Sequence, residues 1–400
     1  MDSYKLSRMG AFSVNATRYV AVSAGTDTIA QSTESLVEGY VASAGTFKNL
    51  FIEVDGAPGA GESFTVTLRK NNLDTAIVVT ISDTATTGSD TSNTVTVAAG
   101  DLISYKLTTS VTAAAGKSPR MSIDYTGDTA NESLLLGALV ITASDCFTGV
   151  DGVTGFDAST HDDGKQLVAT AGTISKLYIR LSTAPTGAET NTFTVYKNGS
   201  ATALTLTISG AATTGSDLSN SFAVVAGDSL SIQKDESAGA INASFIWGMV
   251  FAATTDGEFP ILAGTTAEPS TTVTNYTQMN NSGAATESTE FATLMCCGRT
   301  SWITNLYAAV TTAPGAGNSY TFTLRNTTVN TALSVLINEA NTTGNDSSAT
   351  GVAIANFDNL TLSLVPVSTP TAPETISWGF TATMTEPPQA AASRRVIIAS

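Results

Sequence analysis

His161 is the single histidine among 400 residues, and it stands in the segment "GVDGVTGFDASTHDDGKQ" beside Asp151, Asp157, Asp162 and Asp163. An imidazole flanked by carboxylates can serve as a general base, or with converging oxygens can hold a metal or a glycan. One histidine limits any Ser–His–Asp triad or histidine-based zinc site to a single copy. The segment is long and polar, so a solvated loop is the expected structure. A second candidate is a phrase used three times, "DTATTGSDTSN", "GAATTGSDLSN" and "EANTTGNDSSA", which carries Asp90, Asp217 and Asp346. A calcium loop needs six to eight oxygens, usually from several carboxylates, and each copy offers one. Gly88 permits positive φ, and Asp90, Ser92 and Asn93 can bond local amides, so the phrase is expected to be a turn between two strands.

The remaining reactive side chains are sparse. Cys146, Cys296 and Cys297 are an odd set without zinc spacing or a disulfide framework, which predicts buried free thiols and folding in a reducing cytoplasm. Trp247, Trp302 and Trp378 lie on or beside apolar strands and are expected in cores rather than stacked on sugars. No pair of acids stands out as the acid and nucleophile of a glycosidase. The chain therefore reads as a non-enzyme without cofactor or metal.

What must position these residues is a domain-sized repeat. The block Ala57 to Asp101 returns as Ala184 to Asp228, with Pro58, Gly88 and Asp101 matching Pro185, Gly215 and Asp228 at an offset of 127 residues. A third copy places Pro314 and Gly344 at 256 from Pro58 and Gly88. Solenoid repeats run about 20–50 residues, so this period is that of whole domains. Within each copy the apolar period is two: Phe64, Val66 and Leu68 alternate with Thr65 and Thr67, and Leu204, Leu206 and Ile208 with Thr205 and Thr207. Such alternation marks half-buried antiparallel strands. About seven or eight short strands per copy predict an all-β protein of three tandem antiparallel β-sandwich domains, jelly-roll-like, at residues 1–130, 131–256 and 257–385. Residues 386–400 form a Pro-Pro spacer and a C-terminal arm.

Charge narrows the partners. With 18 basic and 34 acidic side chains the net charge is −16, which disfavours nucleic acid and anionic membranes. No apolar run reaches membrane-spanning length, and no apolar segment of a secretory signal follows Lys5 and Arg8. Lys5 and Arg8 at one end and Arg394 and Arg395 at the other are basic islands. Both ends read either as frayed tails or as docking arms, in which Arg394, Arg395, Val396, Ile397 and Ile398 add a strand to a neighbour's edge and Lys5 and Arg8 form the interaction residues of the N-terminal arm.

The block "APGAG…TLR…NTAL…ATTGSDTSN…VAAGD" resembles repeats in structural proteins of tailed bacteriophages and environmental viruses, those of capsid decoration, fibre and tail adhesion. The resemblance covers a third to a half of each domain and carries over no catalytic residue. It implies a virion-surface protein folded in the host cytoplasm, docked on capsid or tail subunits, and homo-oligomeric, with a trimer expected by analogy. Two alternatives stand beside it. One is a host-adhesion protein that binds surface glycans through the His161 loop or the loop Asn275 to Gly283. The other is a filament-forming protein of the bacterial cell surface.

Overall fold

Alternating Thr and branched apolar residues have no helical face to bury, and among the described residues the fold is built of strands, with helix confined to the four residues His161–Gly164 and two single 3-10 turns. The computed structural model describes residues 2–13, 15–25, 30–139, 145–154, 158–239, 242–282, 286–347 and 351–386. In the first repeat the strands are β1 (Asp2–Arg8), β2 (Arg18–Val20), β3 (Gly39–Tyr40), β4 (Gly45–Val54), β5 (Gly59–Lys70), β6 (Leu73–Asp83), β7 (Thr87–Val97), β8 (Leu102–Thr109) and β9 (Pro119–Gly127). They form two sheets, ordered β1-β9-β4-β7 and β2-β8-β5-β6, with β3 paired to β8 as well. The chain passes back and forth between the sheets, and this order is that of an eight-stranded jelly roll.

The same plan recurs twice. Glu132–Leu139, Phe245–Ala253, Gly172–Leu181 and Thr214–Val224 repeat the first sheet in order, and Glu258–Thr265, Ile376–Thr383, Ser301–Val310 and Thr343–Asp346 repeat it again. The second sheets follow suit, with strands such as Thr190–Lys197 and Gly315–Asn326 in the place of β5. Each core lies between its two sheets. In the first unit Phe64, Val66 and Leu68 from β5 meet Phe47, Leu50 and Ile52 from β4 in one buried cluster. Full burial of each such side chain contributes roughly 1.5–3 kcal/mol.

The three units are fused rather than strung. The cluster of the first unit continues into Leu134, Leu136, Ile246 and Val250 of the second. That of the second takes in Leu262 of the third, and that of the third takes in Tyr4 and Leu6 of the first. The short strands make the joints: β3 lies on Phe245–Ala253 and Glu132–Leu139, Gln166–Leu167 lies on Glu258–Thr265 and Ile376–Thr383, and Met295–Cys297 lies on β9 and β1. The contacts run first to second, second to third and third back to first, so the chain closes into a ring with threefold pseudosymmetry.

Glycine marks two of these joints. A Cβ at Gly248 would lie 1.9 Å from the Tyr40 carbonyl oxygen, and one at Gly379 would lie 2.0 Å from that of Leu167. Ser122 holds the matching place in the first unit, opposite Phe51 as Gly248 is opposite Tyr178. There the glycine has moved to the other side of the joint, where a Cβ on Gly298 would lie 2.3 Å from Ser122 Oγ.

Ring closure also corrects the reading of the N-terminus as a docking arm. Residues Asp2–Arg8 are the buried edge strand β1, paired to β9 from Asp2↔Thr126 to Arg8↔Arg120. Tyr4 and Leu6 insert into the core of the third unit, which fixes Lys5 and Arg8 inside the molecule.

Candidate functional site

The thrice-used phrase is mostly strand, not turn: Thr87–Val97 is β7 and Thr214–Val224 its counterpart, and the connection is confined to the few residues before them. β6 and β7 are the outer edges of the two sheets in one unit. Asp90 points inward between them. Its Oδ1 accepts the Ser92 and Asn93 N–H groups at 3.1 Å each, and its Oδ2 accepts the Val78 N–H on β6 at 3.1 Å and the Asn93 side-chain amide at 2.9 Å. Asp217 repeats all four bonds, to Ser219, Asn220, Thr205 and the Asn220 amide. Asp346 accepts from Ser334 N at 3.1 Å. The carboxylate thus ties one sheet edge to the other and occupies an edge N–H that would otherwise be open to strand addition.

Burial pushes the Asp90 and Asp217 carboxyls upward, and these hydrogen bonds more than offset it, leaving both below the usual carboxylate range. Both oxygens of each carboxylate are already taken by N–H donors of the protein itself. The recurring glycine is explained by space rather than by positive φ. A Cβ on Gly88, Gly215 or Gly344 would lie 2.7, 2.9 and 2.7 Å from Val79, Leu206 and Val335 side chains on the facing strand.

His161 is buried rather than solvated. Its Nδ1 lies 2.8 Å from Ser231 Oγ and its Nε2 2.9 Å from Ser229 Oγ, and burial followed by the nearby Lys165 charge lowers its pKa to about 4. The sister units show its role. Glu34 and Glu290 stand at the equivalent position and pair with Arg69 at 2.8 Å and Arg325 at 2.6 Å, each guanidinium lying over a tyrosine, Tyr19 or Tyr276. The second unit substitutes His161, Tyr196 and Phe147, joined by ring contacts. The histidine fills a structural slot. Asp162 pairs with Lys165 at 2.7 Å, and Thr160 caps the short helix, its Oγ1 accepting the Asp163 N–H at 3.3 Å and donating to the Asp163 carboxylate at 2.8 Å, while Asp157 lies outside the described residues.

All three cysteines are buried free thiols, and burial pushes Cys296 and Cys297 upward, away from reactivity. Trp247 and Trp378 are wholly buried, whereas Trp302 is half-buried and borders a cleft. Among the described residues no cluster of three metal-ligating side chains occurs, and no helix is long and apolar enough to cross a membrane.

At the centre of the ring Lys5 meets Asp151 of the second unit at 3.3 Å, both nearly inaccessible. Asp151 also accepts the Leu136 N–H at 3.0 Å, and Gln166 holds the backbone on either side of it. Asn280 from the third unit donates to the Leu6 carbonyl at 3.1 Å and Ser23 Oγ at 3.0 Å. Within the loop Asn275 to Gly283, Asn275, Thr277, Gln278 and Asn280 are buried, and Gly283 lies outside the described residues. Arg8 donates to the Phe291 and Leu294 carbonyls of the third unit at 3.1 and 3.0 Å. Arg394, Arg395, Val396, Ile397 and Ile398 lie outside the described residues.

The three joints are equivalent in place but not in chemistry. Third to first, Arg299 reaches Asp124 at 2.8 Å and Asp2 at 3.4 Å, with Asn49 donating to Asp124 at 2.7 Å. First to second, Ser43 meets Glu132, which pairs with Lys176 at 2.8 Å. Second to third, Thr170 meets Thr381 at 2.9 Å, and Asn305 donates to Thr381 at 3.2 Å. Arg180 adds a bond to Glu38 at 2.5 Å at the first of these covalently linked joints. The sequence pattern did not single out Arg299 or Asp124, and it placed Trp302 in a core, whereas the structure leaves Trp302 only partly buried at the rim of a cleft. The signal was present in the repeat: Arg299 stands where the sister copies have Ser43 and Thr170, and Trp302 where they have Thr46 and Thr173. Comparison with protein-family models and with curated proteins finds no match.

Proposed function

We propose that this protein is a non-enzymatic structural component of a virion, displayed on the particle surface as a capsid-decoration, fibre or spike element. One chain would supply the three-lobed unit that separate subunits would otherwise assemble. The observation that carries this reading is the closure of the third unit onto the first, through Met295–Cys297 on β1 and β9. Support also comes from what the reactive residues do: His161 fills a structural slot, the thiols are buried, and the repeated aspartates tie sheet edges.

Closure bears on assembly. A head-to-tail filament needs one free donor face and one free acceptor face, and here all three such pairs are consumed within the chain. That argues against the surface-polymer alternative and removes the reason for three chains to trimerise. In this reading the docking unit is the single chain, its partners are capsid or tail subunits, and residues 386–400 remain the tether.

Light scattering on the full-length protein, beside a version ending at Met384, tests it together with binding to protein-stripped particles. A 40.9 kDa species that decorates particles only with its C-terminal segment supports the proposal. A stable trimer of chains, long filaments, or no particle binding in either form overturns it.

A further inference from the structure

The joint between the third and first units carries a cleft of about 490 Å³ lined by Asn49, Phe51, Arg299, Thr300, Trp302 and Asn356, among others. A second cleft of about 380 Å³, bordered by Asp2, Asp256 and Thr385, adjoins it across Arg299 and Met384. Each volume falls within the roughly 300–1,000 Å³ of small-molecule sites. The equivalent place between the second and third units holds a cleft of about 220 Å³ against Leu167 and Tyr307, without a cation or tryptophan.

We infer that the cleft between the third and first units binds a neutral saccharide, with Trp302 as its stacking surface. Three observations converge. Trp302 is the one tryptophan not sealed in a core, and a partly exposed indole beside polar groups offers an apolar face to the C–H side of a sugar ring. The polar lining is rich in groups that bond hydroxyls: Asn49, Asn356 and Thr300 with amides and a hydroxyl, Asp2 and Asp256 with carboxylates, Arg299 with a guanidinium. Among the described residues Asn356 and Thr300 make no side-chain hydrogen bond, so theirs are open to a ligand. Charge then selects among sugars. Arg299 is already paired with Asp2 and Asp124, and Asp256 adds a further negative charge, so an acidic sugar is disfavoured.

The sister joints supply the contrast. Where the third unit has Arg299 and Trp302, the sister units have Ser43 and Thr46 or Thr170 and Thr173; Ser43 bonds Glu132 and Thr170 bonds Thr381 across their joints, so two units are held together there without a guanidinium or an indole at these positions. This inference does not rest on the virion reading, since a glycan cleft would serve any surface protein.

The test uses the full chain and acrylamide quenching of tryptophan fluorescence, in which the quenchable fraction belongs to Trp302 because Trp247 and Trp378 are wholly buried. The probes are glucose, galactose, N-acetylglucosamine, their β-linked di- and trisaccharides, and glucuronate. Saturable protection by at least one neutral probe is expected. Trp302→Thr, which installs the residue of both sister copies, should keep the melting temperature and weaken calorimetric binding of that probe about tenfold or more, the scale of one lost aromatic contact. Protection by none of the neutral probes overturns the inference, as does stronger protection by glucuronate or unchanged binding by the Thr variant.

Discussion

Replacing Asp217 by alanine removes one carboxylate that takes four hydrogen bonds at 2.9–3.1 Å, from Ser219 N, Asn220 N, Thr205 N and the Asn220 amide. A hydrogen bond to a charged group contributes about 1.5–3 kcal/mol, but a donor that can turn to water forfeits little. Ser219 and Asn220 lie on an exposed stretch of strand, so their N–H groups will be rehydrated. The Thr205 N–H, which points across to the sheet that carries Asp217, and the loss of the tie between sheets remain, for an expected cost of about 2–4 kcal/mol. Asp217→Asn keeps the shape but turns an amide N–H₂ toward donors, and should cost nearly as much. Urea denaturation followed by circular dichroism reads both variants. Because the depressed carboxyl lies below its unfolded value, its contribution is complete above about pH 4 and is lost as pH falls through the folded value, so the alanine variant should show a shallower acid limb. A cost below about 1 kcal/mol, or stability of the parent protein that changes on adding calcium or a chelator, would refute the reading of this motif as a staple.

Four further outcomes follow from the same structure. His161 should titrate by NMR with a midpoint near 4; since its folded value lies below the unfolded 6.5, stability is full above pH 6.5 and declines as pH falls from there toward 4, a decline that His161→Gln should flatten. Gly248→Ala and Gly379→Ala force a methyl onto the Tyr40 and Leu167 carbonyls and should each cost about 3 kcal/mol or more, with faster proteolysis between units; a neutral effect would mean the joints are looser than described. Lys5→Met strands the buried Asp151 charge and should cost about 3–5 kcal/mol, most of it recovered by adding Asp151→Asn; no recovery in the double variant would show that the pair is not coupled. Fused cores predict one cooperative thermal transition for the whole chain, and three separate calorimetric peaks would contradict it.

The strand class and the repeat were legible in the chain because they are local. Alternation such as Phe64, Val66 and Leu68 against Thr65 and Thr67 has the period of a pleated strand, and a 127-residue offset needs only comparison of like with like. The turns were less legible. The Asp90 phrase has turn composition, yet its Gly, Asp and Asn act within a strand, because Gly88 must pass close to Val79 and Asp90 must reach Val78. Those needs arise only when two sheet edges face each other.

The sequence by itself determined that this protein is all-β, built three times over from one pattern, and acidic. Tertiary structure alone decided how the copies meet. Lys5 and Arg8 have the composition of a frayed basic end, and only packing of Tyr4 and Leu6 into the third core makes them internal. Likewise Arg299 and Trp302 become neighbours of Asn49 and Phe51 only because the ring closes. The physical reason is range: strand period and turn chemistry act over a few residues, whereas closure depends on surfaces from residues some 300 positions apart that no local pattern records.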